Sequence, residues 1–184
     1  VAGCLAGTAG QASAQTKVGS TLGTFLRIEP GARGAALGNA GSALPGGIEA
    51  VYYNTGALGL IEGAAVSYSH ADWFAGISHD YVGMALPVSG LGNIFASVTA
   101  LNSGDIEVRT VEDPLGTGVN YTVSNVALGL GYGRRITERF AAGLQANYVT
   151  EKIWNTSDRT MTFNLGALYQ LNDNGARLGF SLAN

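Results

Sequence analysis

Few side chains in this sequence are suited to chemistry: His70 and His79, nine residues apart, and Asp72 and Asp80, each within two positions of a histidine. Histidine and carboxylate together suggest a metal ion or a proton relay. A zinc site takes three or four nitrogen, sulfur or oxygen ligands, and no Cys or further carboxylate cluster stands at that spacing. Asp72 and Asp80 as a catalytic pair would need environments that drive their pKa values apart, and nothing near them in the sequence does so. No Gly-x-Ser-x-Gly elbow is present. The Gly-rich stretch Gly31–Gly41 lacks the Lys-Ser/Thr ending and the preceding strand of a phosphate loop. Cys4, the single cysteine, has no partner for an internal disulfide. No enzyme, metal site or cofactor is expected, and the histidines read as lumen or loop positions of the architecture below.

Composition narrows that architecture. Charged residues are 12% of the chain, about half the usual quarter, while 46% are hydrophobic and 28 residues are Gly. A disordered chain would reverse those proportions. Nowhere is there the run of ~18 apolar residues that a spanning helix needs. A net charge of −3 with no Lys/Arg run gives nucleic acid no electrostatic purchase.

From residue 64 the apolar period is two, the mark of strands. Val126, Leu128, Leu130 and Tyr132 alternate with Ala127, Gly129, Gly131 and Gly133; Leu144 and Tyr148 alternate with Gly143, Gln145 and Asn147. Met161, Phe163, Leu165, Ala167, Tyr169 and Leu171 share one face, and Thr160, Thr162, Asn164, Gly166, Leu168 and Gln170 the other. A soluble sheet carries Lys and Glu on its solvent side. Here the second face is small or amide-bearing, which suits a membrane barrel with bulky apolar residues on lipid and small or polar ones in the lumen. Val126, Leu128, Leu130, Met161, Phe163 and Leu165 are therefore expected to face lipid.

Seven strands are read, at about 64–72, 76–88, 93–109, 120–135, 139–153, 160–171 and 176–184. Tight turns are expected at Ser89–Gly92, Ile136–Glu138 and Asn172–Gly175. Longer links are expected around Asp113–Val119 and Asn155–Arg159, giving the short-turn and long-loop sides of an outer-membrane barrel. Gly104-Asp105 suggests a bulge. Trp73 and Trp154 at the loop side, and Tyr132 and Tyr169 at the turn side, fit the aromatic belts of a membrane interface. Arg134 and Arg135 read as headgroup anchors. Seven strands do not close such a barrel, which takes an even number from eight upward, so the chain reads as the first part of a larger one.

The first 14 residues read as the remnant of a signal peptide, with Ala12-Ser13-Ala14 matching the small-x-small cleavage rule. A rival reading makes Val1-Ala2-Gly3-Cys4 a lipoprotein box with Cys4 lipidated. Residues 15–62 read as a segment that plugs the barrel begun at 63, and within it residues 31–60 do not alternate. Its glycines Gly34, Gly38 and Gly41 would let it lie close against a wall.

Several stretches carry a resemblance to a known family. Gly31-Ala32-Arg33-Gly34, Leu37-Gly38-Asn39-Ala40-Gly41 and Tyr52-Tyr53-Asn54 resemble the N-terminal hatch of FadL-like outer-membrane barrels, and more closely the PorV/PorQ branch associated with type IX secretion. Ser69–Trp73, Gly76–Gly83 and the terminal Gly179–Asn184 are similar to the same branch. The family's hatch usually reads Asn-Pro-Ala where this chain has Asn54-Thr55-Gly56, which loosens the backbone that Pro would fix. The resemblance implies a barrel of about fourteen strands in the bacterial outer membrane, with hatch residues Arg33, Gly34, Gly38, Gly41, Tyr53, Asn54, Thr55 and Gly56. It also implies partners: outer-membrane lipid, a secretion translocon and exported cargo proteins. Two functions follow, a PorV-like component that shuttles cargo in protein secretion, or a FadL-like hatch-gated channel for hydrophobic small molecules. The small, polar inner face favours the first.

Overall fold

The computed structural model describes residues 22–44 and 47–183. The expected signal remnant, its cleavage site and Cys4 lie outside the described residues. The chain is mostly antiparallel β, a curled seven-strand sheet that makes a half-barrel. Its strands are β1 (Ala65–Asp72), β2 (Ser78–Val88), β3 (Gly92–Asn102), β6 (Val123–Arg135), β7 (Phe140–Ile153), β8 (Thr156–Gln170) and β9 (Arg177–Leu182), paired in that order. Two short strands, β4 (Ile106–Glu107) and β5 (Asn120–Tyr121), form a separate ribbon between β3 and β6. Among the described residues, β1 and β9 are edges that do not pair with each other.

Period-two sequence becomes two faces because successive side chains of a strand point opposite ways. In β6, Ala127 and Gly129, Gly131 and Gly133 are buried, while Val126, Leu128, Leu130 and Tyr132 are exposed. The N-terminal segment lies on the first of these faces, called inner here. It holds two short helices, α1 (Ala32–Ala36) and α2 (Ala50–Tyr53), and a 3-10 turn over Thr55–Leu60. The main core joins Val51, Ala57, Leu58 and Ile61 of this segment to Ala85, Phe95 and Leu168 of the wall. Leu58, wholly buried, contributes roughly 1.5–3 kcal/mol. A second cluster packs Phe25 on Ala127 and Val149.

The links differ from the sequence expectation. The tight turns after β2, β6 and β8 form where expected. Most of Asn155–Arg159, expected as a loop, is strand: β7 and β8 pair out to Ile153 and Thr156, leaving a two-residue turn of Trp154 and Asn155. Trp154 takes a left-handed φ of 54° there, as a two-residue hairpin requires. Loop-forming residue types misled because cross-strand pairing overrides them. Only the link between β3 and β6 is long, so one end of the sheet carries one large excursion rather than a series. The bulge expected at Gly104-Asp105 is a full break. β3 stops at Asn102, Gly104 turns left-handed at φ 64°, and the chain enters the separate ribbon.

Candidate functional site

The inner face is best followed in cross-strand rows, because directly opposite residues on antiparallel strands share a face. Nearest the tight turns, Asn93, Gly133, Gly143 and Gly166 stand in one row. Next come Phe95, Gly131, Gln145 and Asn164, then Ser97, Gly129, Asn147 and Thr162, and then Thr99, Ala127, Val149 and Thr160. The row beyond holds His79, Leu101, Asn125 and Glu151.

The first row is a seat for the segment Asn54–Ile61. Asn54, 1% exposed, donates from Nδ2 to the carbonyls of Ser42 (2.7 Å) and Ala167 (3.0 Å) and accepts from the Gly56 amide (2.9 Å). One side chain thereby caps the 3-10 turn, ties it to the preceding loop and anchors it to β8. Thr55 Oγ1 donates to the Gly143 carbonyl at 3.0 Å. Asn93 Nδ2 donates to the carbonyls of Leu58 (2.5 Å) and Ile61 (2.9 Å). The wall can come this close only because it lacks side chains. A Cβ on Gly143 would stand 2.1 Å from the Thr55 carbonyl oxygen, one on Gly166 2.1 Å from Asn54 Oδ1, and one on Gly133 2.4 Å from Leu58 Cβ.

The sequence points to close approach at Gly34, Gly38 and Gly41, and the structure divides them. Gly34 and Gly41 are buried against the Tyr53 ring, where a Cβ would fall 1.4 Å from its hydroxyl or 2.1 Å from its Cγ. Gly38 faces open space, and its glycine serves a left-handed φ of 61°. Arg33 is exposed on α1. Gly56 sits against β8, where a Cβ would meet the Ala167 Cα at 2.9 Å. The wall glycines are the larger part of this contact, and sequence reading missed them as a set. Their signal is Gly129, Gly131 and Gly133 at every second position of one strand.

Between the seat and the Phe25 cluster lies a cavity of about 540 Å³. Its floor includes Ser97, Thr99, Gln145, Asn147 and Asn164, its roof Leu26, Arg27, Asn39, Tyr52 and Tyr53. Gln145 Nε2 donates to Asn147 Oδ1 (2.7 Å) and Ser97 Oγ (3.3 Å), and Asn147 Nδ2 donates to Thr162 Oγ1 (3.2 Å). These bonds cross above Gly129. In the roof, Tyr52 donates to the Leu26 carbonyl at 3.0 Å, and burial pushes its hydroxyl pKa up. A hydrogen bond from Asn39 holds the Glu29 carboxyl below its ordinary range. Gly23 N donates to Glu151 Oε1 at 2.6 Å, fixing the covering segment at the far end of the face.

The remaining sequence candidates sit elsewhere. Val126, Leu128, Leu130, Met161, Phe163 and Leu165 are on the outer face, from 37% to 70% exposed. Trp73 and Trp154 stand at the loop end, Trp73 stacked on Phe74 and Trp154 beside Tyr121; Tyr132 and Tyr169 are on the outer face toward the turns. Arg135 lies 4.0 Å from Glu62. His79 is a buried inner residue. His70 is not in the lumen or a loop. It lies on the outer side of β1, its Nδ1 2.7 Å from Asp80 and its Nε2 3.2 Å from Asp72, because the register sets it directly opposite Asp80.

Comparison with protein-family models, with curated proteins and with solved structures finds no match to this chain.

Proposed function

We propose that this chain forms part of a bacterial outer-membrane β-barrel whose lumen its own N-terminal segment plugs, and that the barrel serves protein secretion. The observation that carries the reading is the contrast between faces. Large apolar side chains stand uncovered along the outside of the strands, from Val66 on β1 to Leu182 on β9, while the inside carries glycines, amides and hydroxyls beside a few apolar residues that the N-terminal segment covers. In water such an apolar surface is an aggregation hazard; in lipid it is what a spanning barrel needs. β1 and β9 run in the same direction, since they are the first and last of seven strands that alternate in direction. Antiparallel closure therefore takes further strands, in keeping with a barrel of about fourteen.

Export is favoured over passage of a hydrophobic ligand by what lies inside. The Gly-lined seat is filled by backbone, and the space beside it is floored with amides and hydroxyls, which an alkyl chain would leave unpaired. A barrel closed in this way acts at its rim, where a translocon and exported cargo would meet the β3–β6 excursion.

Spin labels on a Cys4→Ser background test the membrane part. Labels replacing Leu128 and Leu165 are expected to be accessible to oxygen and shielded from a nickel chelate, with labels at Gln145 and Asn147 the reverse. Preferential nickel access at Leu128 and Leu165 would place the outer face in water. A paired assay of reporter delivery and fatty-acid uptake tests the function. Changes in the 113–119 loop are expected to lower delivery, and Asn54→Ala to leave uptake unaltered; uptake that collapses with Asn54→Ala while delivery stays normal would favour the hatch-gated channel.

A further inference from the structure

We infer that the cavity between the glycine seat and the Phe25 cluster is a binding site for a neutral, hydroxylated ligand of the size of a mono- or disaccharide. The inference uses the inner face alone and stands whether or not the protein takes part in secretion. Size is the first reason: about 540 Å³ lies within the range of small-molecule sites.

Chemistry is the second. The floor offers hydroxyls and carboxamides at a fixed spacing set by the strand register. Ser97, Gln145, Asn147 and Thr162 orient one another by hydrogen bonds, so their unused donors and acceptors are held in place before a ligand arrives. Such preorganisation lowers the ordering cost of binding. Gln145 Oε1 and the second Nδ2 hydrogen of Asn147 are left over by this network, since each amide carries more capacity than it uses. Thr99 and Asn164 line the same floor without a side-chain hydrogen bond to any described residue. Tyr52 in the roof and Tyr81 beside it supply ring surface to the lining.

Charge is the third. Among the described residues that line the cavity only Arg27 is of a charged type, and it stands on the covering segment and is exposed. Acceptor oxygens on the floor disfavour an anion there, and an alkyl chain would leave the amides without partners. Vicinal hydroxyls, which both donate and accept, match a mixed amide and hydroxyl floor.

The test is saturation-transfer NMR on the protein in phospholipid nanodiscs, since a maltoside detergent would itself be a probe. Glucose, maltose and trehalose are the probes, with laurate as an apolar competitor. Transfer to sugar ring protons is expected, with affinity falling about tenfold in Thr99→Val and in Asn164→Leu, as loss of one hydrogen bond predicts. Both replacements leave the Ser97–Gln145–Asn147–Thr162 network intact, so folding is preserved. Ser67→Ala, on β1 outside this cavity, is expected to bind as the parent does. Absence of transfer to all three sugars would overturn the inference. So would equal binding in both floor variants, an equal loss in Ser67→Ala, or displacement of sugar by laurate.

Discussion

Two rows of the same wall, four residues apart on each strand, solve opposite problems. At Asn93–Gly133–Gly143–Gly166 the wall gives up its side chains, and the backbone of Asn54–Ile61 takes their place. At Ser97–Gly129–Asn147–Thr162 the wall keeps them, and they hydrogen-bond to one another. Both rows contain glycine, yet for different ends. Gly143 makes room for another part of the chain, whereas Gly129 makes room for its own neighbours to meet over it. The first row fixes a segment and the second leaves a furnished space.

The most severe way to break the contrast is to put bulk into the seat. Gly143→Leu would drive a side chain into the Thr55 carbonyl, a backbone group that cannot turn aside. The expected loss is about 3 kcal/mol or more, from overpacking and loss of the bonds around Asn54. Urea unfolding in lipid measures it, and cleavage within residues 22–62 under limited proteolysis should rise in parallel. A loss under half that size would mean the segment is not seated on the wall.

Removing the anchor from the other side should cost less. Asn54→Ala leaves the carbonyls of Ser42 and Ala167 and the Gly56 amide without their side-chain partner. Buried groups left unpaired cost ~1–3 kcal/mol, so about 2 kcal/mol is expected in the same titration. Asn54→Asp should recover little, because a carboxylate accepts but does not donate. Full recovery by Asp would show that the Gly56 bond alone mattered.

Gly129→Ala sharpens the comparison. Its Cβ would meet Ser97 Oγ at 2.3 Å, Gln145 Nε2 at 2.5 Å and Asn147 Oδ1 at 2.6 Å. All three are ends of side chains that can swing away at the expense of a hydrogen bond, so about 1–2 kcal/mol is expected. Gly143→Ala, which meets backbone, should cost more. Equal costs would erase the distinction between the two rows.

How much of this was legible depends on distance along the chain. The alternation in 126–133 and 160–171 revealed both faces, since period two is local. Asn54 stood out only through the resemblance of Tyr52-Tyr53-Asn54 to a hatch element. Partner identity was not legible: Asn54 meets Ala167, 113 positions away, and only the register brings β8 beneath it. The same limit hid Gly143 and Gly166, single glycines in their strands until pairing aligns them. His70 went wrong for the converse reason. Its place on an outer face follows from the parity of β1, where it continues the side of Val66 and Tyr68.

The smallest effect belongs to a glycine that touches nothing. Gly38 has open space where a Cβ would go, so Gly38→Ala meets no clash. Its cost comes from backbone alone: φ is 61°, just past the end of α1, and Asn39 continues left-handed at 63°. An L-residue with a Cβ is held in that region at roughly 1–2 kcal/mol, and Asn is the side chain that tolerates it best. Gly38→Ala is therefore expected to lose about 1 kcal/mol, and Gly38→Asn to regain most of it. Gly34→Ala, four residues earlier, should cost more than either, because its methyl would fall on the Tyr53 hydroxyl and force the ring from between Gly34 and Gly41. Urea midpoints of the three variants measured together decide the matter. Were Gly38→Asn as damaging as Gly38→Ala, with Gly34→Ala no worse, conformation would not separate these glycines, and an unseen contact at Gly38 would have to be sought.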